Sequence, residues 1–274
     1  MIKHRTSLAS IKLNDNELGP DGVESIVANL LQTQNTKLTN LNLSFTMIGP
    51  DGMEKLSKVI KRPLILTNLH LIGNKIKPEG ATSLAKVLVQ CPALASLNIG
   101  ANQIGPKGAE SLAEVIAHST SLTSIDFSLN NIGVNGAISL ATALVCAHNT
   151  TLTSLNLFYN KIGPEGAKSI ANGLRYNIIA IKYLNLSCND IKSEGATSFS
   201  GVLLQNTSLI NLDFSHNNIG DTGAEEFSRV LDRAQNTSLT ILNLSCNNIG
   251  DTGSLSLSIV LERIQYSLLT CKYK

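Results

Sequence analysis

Apolar and polar residues alternate along LTSLNLFYN (152–160), whereas GATSLAKVL (80–88) places its apolar residues four apart. Period two is the signature of a half-buried strand, and a four-residue rhythm is that of one helical face. The switch from one period to the other recurs along the chain, in places almost word for word. NTTLTSLNLFYNKIGPEG stands at 149–166, NTSLINLDFSHNNIGDTG at 206–223 and NTSLTILNLSCNNIGDTG at 236–253. Aligned on L-x-x-L-x-L-x-x-N-x-I, nine units begin at Leu8, Leu38, Leu66, Leu94, Leu122, Leu152, Ile181, Leu209 and Leu239, spaced 28 to 30 residues apart. A partial tenth begins at Leu268. A strand and a helix cannot bury their apolar faces alone, but stacked copies can, and a fixed period of this length marks a solenoid.

The expected fold is therefore α/β: one leucine-rich solenoid domain over residues 1–274. It is a curved, right-handed β-α superhelix with a parallel sheet on the concave face and helices on the convex face. Curvature follows because helices are wider than the ~4.8 Å spacing of strands. Counted from the glycine of each unit, the fourth and eighth following positions are apolar throughout, from Ile26 and Leu30 to Leu257 and Leu261. The fifth is usually small (Ala85, Ala113, Ala141, Ala171, Ser200), letting helices approach. Pro20, Pro50, Pro78, Pro106 and Pro164 fall where a first helical turn accepts proline.

An asparagine marks the point where each strand ends: Asn16, Asn74, Asn102, Asn130, Asn160, Asn189, Asn217 and Asn247, with Thr46 the exception. There the backbone leaves sheet pairing and its polar groups need partners. An amide side chain offers donors and acceptors together, so stacked units are expected to form a ladder in which each Asn bonds its own turn and the next.

These motifs resemble the leucine-rich repeat superfamily, specifically its long-repeat subclass similar to ribonuclease inhibitor, over residues 8–267. The chain is also similar to the repeat modules of NOD-like receptors and to repeat proteins that intracellular bacteria export into host cells. In that subclass the ladder position holds Asn or Cys. Here Cys188 and Cys246 fall one residue earlier. The resemblance implies a protein-binding module. It acts alone, in a host cytoplasm if exported, or as the regulatory or assembly region of a larger receptor-like protein.

Composition narrows the function further. With 22 basic and 20 acidic residues, the chain lacks the footprint of a nucleic-acid or anionic-membrane binder. Five dispersed cysteines with no C-x-x-C fit a reducing, cytoplasmic compartment. No apolar run precedes the first charges and none approaches the ~20 residues of a membrane span, so neither a secretory signal nor a span is expected. The five histidines lie in different units without metal-ligand spacing. GPEGAKS (163–169) lacks the Gly-Lys pair of a phosphate loop and is the turn every unit carries. Cys188 and His216 hold equivalent positions in adjacent units, too little for catalysis. No catalytic residue, metal or cofactor is expected.

Residues between the strand leucines face the concave side. Their central column (Lys12, Asn42, His70, Asn98, Asp126, Asn156, Asn185, Asp213, Asn243) is short, polar and nearly neutral. A single-strand nucleic-acid groove requires Arg and Lys interleaved with aromatics. Toward the strand ends, units 5 to 7 gather Leu129, Phe158, Tyr159 and Tyr183, rimmed by Asp126 and Asp213 with His216 nearby. Aromatics beside short polar residues characterise interface centres, so these seven residues form the candidate protein-binding site. A weaker patch surrounds Phe45, Met47, His70 and Ile72. KLSKVIKR (55–62) is expected to be a solvated helix face. Open ends imply a monomer or weak end-to-end self-association, because the terminal units lack an evident polar outer face.

Overall fold

A computed structural model of the protein describes residues 8–32, 37–60, 65–145, 151–175, 181–233 and 238–263. Strand and helix alternate along the whole described chain: β1 Ser10–Lys12, α1 Gly19–Gln32, β2 Asn40–Asn42, α2 Gly49–Ile60, β3 Asn68–His70, α3 Lys77–Leu88, β4 Ser96–Asn98, α4 Gly105–His118, β5 Ser124–Asp126 and α5 Gly133–Val145. The second half continues with β6 Ser154–Asn156, α6 Gly163–Leu174, β7 Tyr183–Asn185, α7 Lys192–Leu203, β8 Asn211–Asp213, α8 Gly220–Leu231, β9 Ile241–Asn243 and α9 Asp251–Arg263. The nine described strands form one open parallel sheet in chain order. Register advances one unit per strand, as in Leu69 beside Leu97 and Ile125 beside Leu155. Strands contact only successive strands, and helices only successive helices. This is the one-dimensional stacking expected of a solenoid. The partial tenth unit at Leu268 lies outside the described residues.

The aliphatic core runs unbroken from Val23 to Val260. Where aromatics enter it they stack between units: the Phe199 and Phe214 rings lie 5.1 Å apart, and those of Phe214 and Phe227 5.5 Å. Pro78, Pro106 and Pro164 occupy the first helical turn. The side of α9 that faces away from α8 carries hydroxyls. Ser254 and Ser258 stand there where other units bury Ala109 and Ala113, or Ala137 and Ala141. Hydroxyls in place of methyls make that side tolerant of water.

The asparagine ladder is present, and it points backwards. Asn130 Oδ1 accepts from the backbone N–H groups of Asn102 (2.9 Å) and Ile104 (3.4 Å) in the preceding unit. Its Nδ2 donates to Ile99 O (2.9 Å), also in the preceding unit, and to Phe127 O and Ser128 O of its own turn. The side chain thus serves its own turn and the unit before it, not the next unit as the sequence suggested. The next unit's Asn160 supplies the acceptor for the Asn130 N–H (3.0 Å). Two consequences follow. Asn16, the first rung, is exposed and among the described residues its side chain reaches only Leu13 O and Asn14 O. Asn247, the last, is fully engaged, accepting from Asn217 and Ile219 and donating to Phe214 O.

Thr46 breaks the ladder at one rung. Its hydroxyl donates to Leu43 O (2.6 Å) and its N–H to Asn74 Oδ1 (2.9 Å), but among the described residues its side chain makes no bond to the first unit. Thr46→Asn is therefore expected to supply an acceptor for the Asn16 N–H and a donor to Leu13 O. Each such bond contributes about 0.5–1.5 kcal/mol. Amide exchange in the first unit should slow at least tenfold. Unchanged exchange at Asn16 would show that the missing rung does not limit the docking of that unit.

Two further sets of bonds were not anticipated. Thr39, Thr67, Thr123, Thr153 and Thr240, each just before a strand, donate their hydroxyls to the preceding unit's carbonyl at 3.0–3.2 Å. Ser121, Thr151 and Ser238 do the same two residues earlier, at 2.7–2.9 Å. Asn206 is buried and holds the turn before β8 through the N–H groups of Ser208 and Leu209.

Candidate functional site

The candidate site is built by the turn that ends each strand. The residues just before and after the ladder position adopt left-handed backbone conformation: Leu129 has φ 58° and Asn131 53°, Tyr159 54° and Lys161 57°. The conformation costs a non-glycine residue roughly 1–2 kcal/mol, and a β-branched one more. Accordingly the position before the rung holds Asp15, Phe45, Gly73, Ala101, Leu129, Tyr159, Cys188, His216 and Cys246, with no Val, Ile or Thr. The ladder bonds hold this turn in place, and its geometry leaves Leu129 43 % and Tyr159 51 % exposed.

Three of the expected residues come together here. The Leu129 N–H donates to Phe158 O (2.8 Å), which places the turns of units 5 and 6 side by side. Phe158 is half-buried, and its ring centre lies 5.9 Å from that of Tyr159 at a tilt of 49°. Tyr183 stands apart from this group, at the start of β7, 49 % exposed and flanked in register by Ser154 and Asn211. It lines a shallow depression of about 260 Å³ with Asn156, Asn185, Asn211 and Asp213.

The two aspartates are separated by β6 and β7. Asp126 accepts from the Ser128 N–H (2.8 Å) and from Asn98 Nδ2 (3.2 Å). Asp213 accepts from the Ser215 N–H and hydroxyl and from Asn243 Nδ2 (3.1 Å). His216 is exposed on the turn of unit 8, two units beyond Tyr159 and flanked by Cys188 and Cys246 in the same column. Burial, then the carboxylate of Asp213 and the neighbouring Cys246, push the Cys188 thiol above its usual range. A nucleophilic cysteine requires the opposite shift. Among the described residues no group of His, Cys, Asp and Glu is arranged to hold a metal ion, and no helix is long and apolar enough to cross a membrane.

The second patch is partly self-covered. The ring of Phe45 lies directly over Gly73, so close that even a methyl there would collide with it. On the helix side, Lys55 pairs with Asp21 (2.8 Å) and Glu24 (2.6 Å), and Lys58 with Glu54 (3.0 Å). Those cations are held within the protein. A surface feature the repeat pattern hid is a groove of about 490 Å³ between α4 and α5, floored by Ala113, Ala117 and Ala143 and edged by Glu110 and Ile138. The signal for it was α5 itself, GVNGAISLATALV, which contains no charged residue.

Comparison with known proteins agrees with this architecture. The model of the family described as Leucine Rich repeat matches nine stretches: residues 4–27, 34–57, 65–85, 90–113, 118–141, 148–171, 181–200, 205–228 and 235–258. The chain belongs to the leucine-rich repeat family. A search of curated protein sequences gives no match. Among solved structures, the chain is similar to the actin-binding site 2 of leiomodin-1, at 17 % identity over 68 % of this chain and 87 % of that one, with a TM-score of 0.37. It is also similar to the C-terminal domain of tropomodulin from Caenorhabditis elegans, at 16 % identity over 56 % of this chain and 92 % of that one, with a TM-score of 0.44.

Proposed function

We propose that this protein is a non-enzymatic protein-binding module of the ribonuclease-inhibitor-like kind, whose partner docks on the strand face and strand-end turns of units 5 to 7. The observation that carries the reading is the exposure of Leu129 and Tyr159 on left-handed turns of adjacent units, with the Phe158 ring near that of Tyr159. Their projection is fixed by the backbone, so little ordering is left to cost affinity on binding. Asp126, Tyr183, Asp213 and His216 extend the surface across four strands. Cys91, Cys188 and Cys246, the free cysteines among the described residues, fit a reducing cytoplasm, which is a host cytoplasm if the protein is exported.

A second reading, a repeat region that regulates or assembles with a further protein domain, is favoured by one feature of α9. Leu255 and Ile259 are 63 % and 44 % exposed at outward positions where α4 carries Glu110 and Glu114 and α6 carries Lys168 and Asn172.

Tyr159→Ala is the test of the first reading. An aromatic anchor contributes about 2 kcal/mol or more to binding, so capture of the native partner should weaken at least tenfold while the thermal midpoint stays within about 2 °C. Loss of folding in this variant would make Tyr159 a packing residue. Binding that survives it but fails with Lys55→Ala and Lys58→Ala would move the site to the helix side.

A further inference from the structure

In seven of the nine described strands the third residue is Asn or Asp, and its side-chain oxygen accepts a hydrogen bond from the backbone N–H two residues on, a local turn both residue types make. Asn42 holds the Ser44 N–H in this way (2.9 Å), Asn98 that of Gly100 (3.0 Å), Asn156 that of Phe158 (3.1 Å), Asn185 that of Ser187 (2.9 Å) and Asn243 that of Ser245 (3.1 Å). The turn needs an acceptor and no charge. At Asp213 the same bond forms (3.0 Å), so the negative charge there is surplus to the fold.

Tyr183 is surplus in the same sense. The first strand residue is Ser124, Ser154 or Asn211 in neighbouring units, and the ring of Tyr183 stands half in solvent. These two departures from the repeat line one depression, together with the amides of Asn156, Asn185 and Asn211. From β3 to β9 the strand residues include two carboxylates, Asp126 and Asp213, and no lysine or arginine. Lys182, next to Tyr183 in the chain, makes no ion pair among the described residues.

We propose that this depression seats an arginine side chain of the protein partner. The guanidinium lies against the face of Tyr183 and its N–H groups donate to the Asp213 carboxylate and to the amide oxygens beside it. A planar cation suits an aromatic face and a carboxylate edge at once, and charge-assisted bonds are the stronger ones. The inference rests on the strand-face reading and specifies the partner's chemistry there. Attraction of this kind weakens as salt rises, since the site is open to solvent.

The test uses the whole chain and two probes, acetyl-Gly-Arg-Gly-amide and the same peptide with citrulline, which keeps the shape of arginine and lacks its charge. Binding is followed through the ring resonances of Tyr183 by NMR. The arginine peptide should bind at least fivefold more tightly than the citrulline peptide. Asp213→Asn, which retains the turn acceptor, should bring the two within twofold, and Glu225→Gln, exposed on α8 of the same unit, should leave the difference intact. Equal binding of the two peptides by the wild-type chain, a response of Tyr183 to neither, or a preference unmoved by Asp213→Asn overturns the proposal. The wild-type comparison decides the matter even should a variant fold poorly. Failure here leaves the effect of Tyr159→Ala on the native partner standing, and failure of the latter with a positive peptide result separates the two.

Discussion

Asn130→Ala is expected to lower stability by on the order of 3–5 kcal/mol, against about 1 kcal/mol or less for Asn16→Ala. The difference lies in what each side chain leaves behind. Removing the Asn130 amide strips partners from the N–H groups of Asn102 and Ile104 and from the carbonyls of Ile99, Phe127 and Ser128, at a site with no solvent exposure. A buried polar group without a partner costs about 1–3 kcal/mol, and partial relaxation offsets some of that sum. Asn16 is exposed and, among the described residues, its side chain bonds only its own turn, so water replaces what it loses. Because the ladder points backwards, Asn247→Ala should behave like Asn130→Ala despite lying in the last described unit. Urea unfolding followed by circular dichroism measures all three, and equal midpoints for Asn16→Ala and Asn130→Ala would deny the ladder its role in coupling the units.

Gly136→Ala is expected to destabilise the protein by about 1–3 kcal/mol, reversing the usual sign of a glycine-to-alanine change inside a helix. In an open helix that change stabilises by roughly 0.5–1 kcal/mol. At Gly136 an added Cβ would collide with Ile132 Cγ2 and meet Ala109 Cβ at 3.0 Å and Pro106 Cα at 3.3 Å. The last two belong to the preceding unit, so α4 and α5 would have to separate, and overpacking of this kind costs about 1–3 kcal/mol. Gly201, within α7, provides the contrast. There the nearest neighbour of an added Cβ is Arg175 Nη2 at 3.2 Å, the far end of a flexible side chain. Gly201→Ala should raise the thermal midpoint by a few degrees while Gly136→Ala lowers it, and a shift of the same sign in both would contradict the close-approach argument.

The repeat made the fold legible because each unit faces the same physical problem and solves it with the same residues. Leu155, Leu184 and Leu212 lie in register because the sequence spaces them by one unit each. The asparagine at the strand end was readable as a polar group needing partners, but its direction was not. Whether Oδ1 reaches forward or back depends on how one turn sits on the next. The threonine ladder escaped notice because Ala95, Lys182 and Ile210 interrupt the series at the same position. At the site, the grouping of Leu129, Phe158 and Tyr159 followed from spacing alone. Their exposure did not, because it depends on left-handed backbone that no local propensity announces. Asp213 looked like part of a rim. Only its bonds show that its turn needs no charge, and only the sheet places it beside Tyr183.

Site-specific photo-crosslinking tests the proposed binding surface most directly. A benzophenone side chain placed at Tyr159 or Leu129, and separately at Lys58 or Lys86 on the helix side, is irradiated with the native partner bound. Adducts of one partner should form from 129 and 159, and Asp213→Asn should diminish them without altering the fold. Adducts formed from 58 and 86, with none from 129 and 159, would place the partner on the helices and contradict the account.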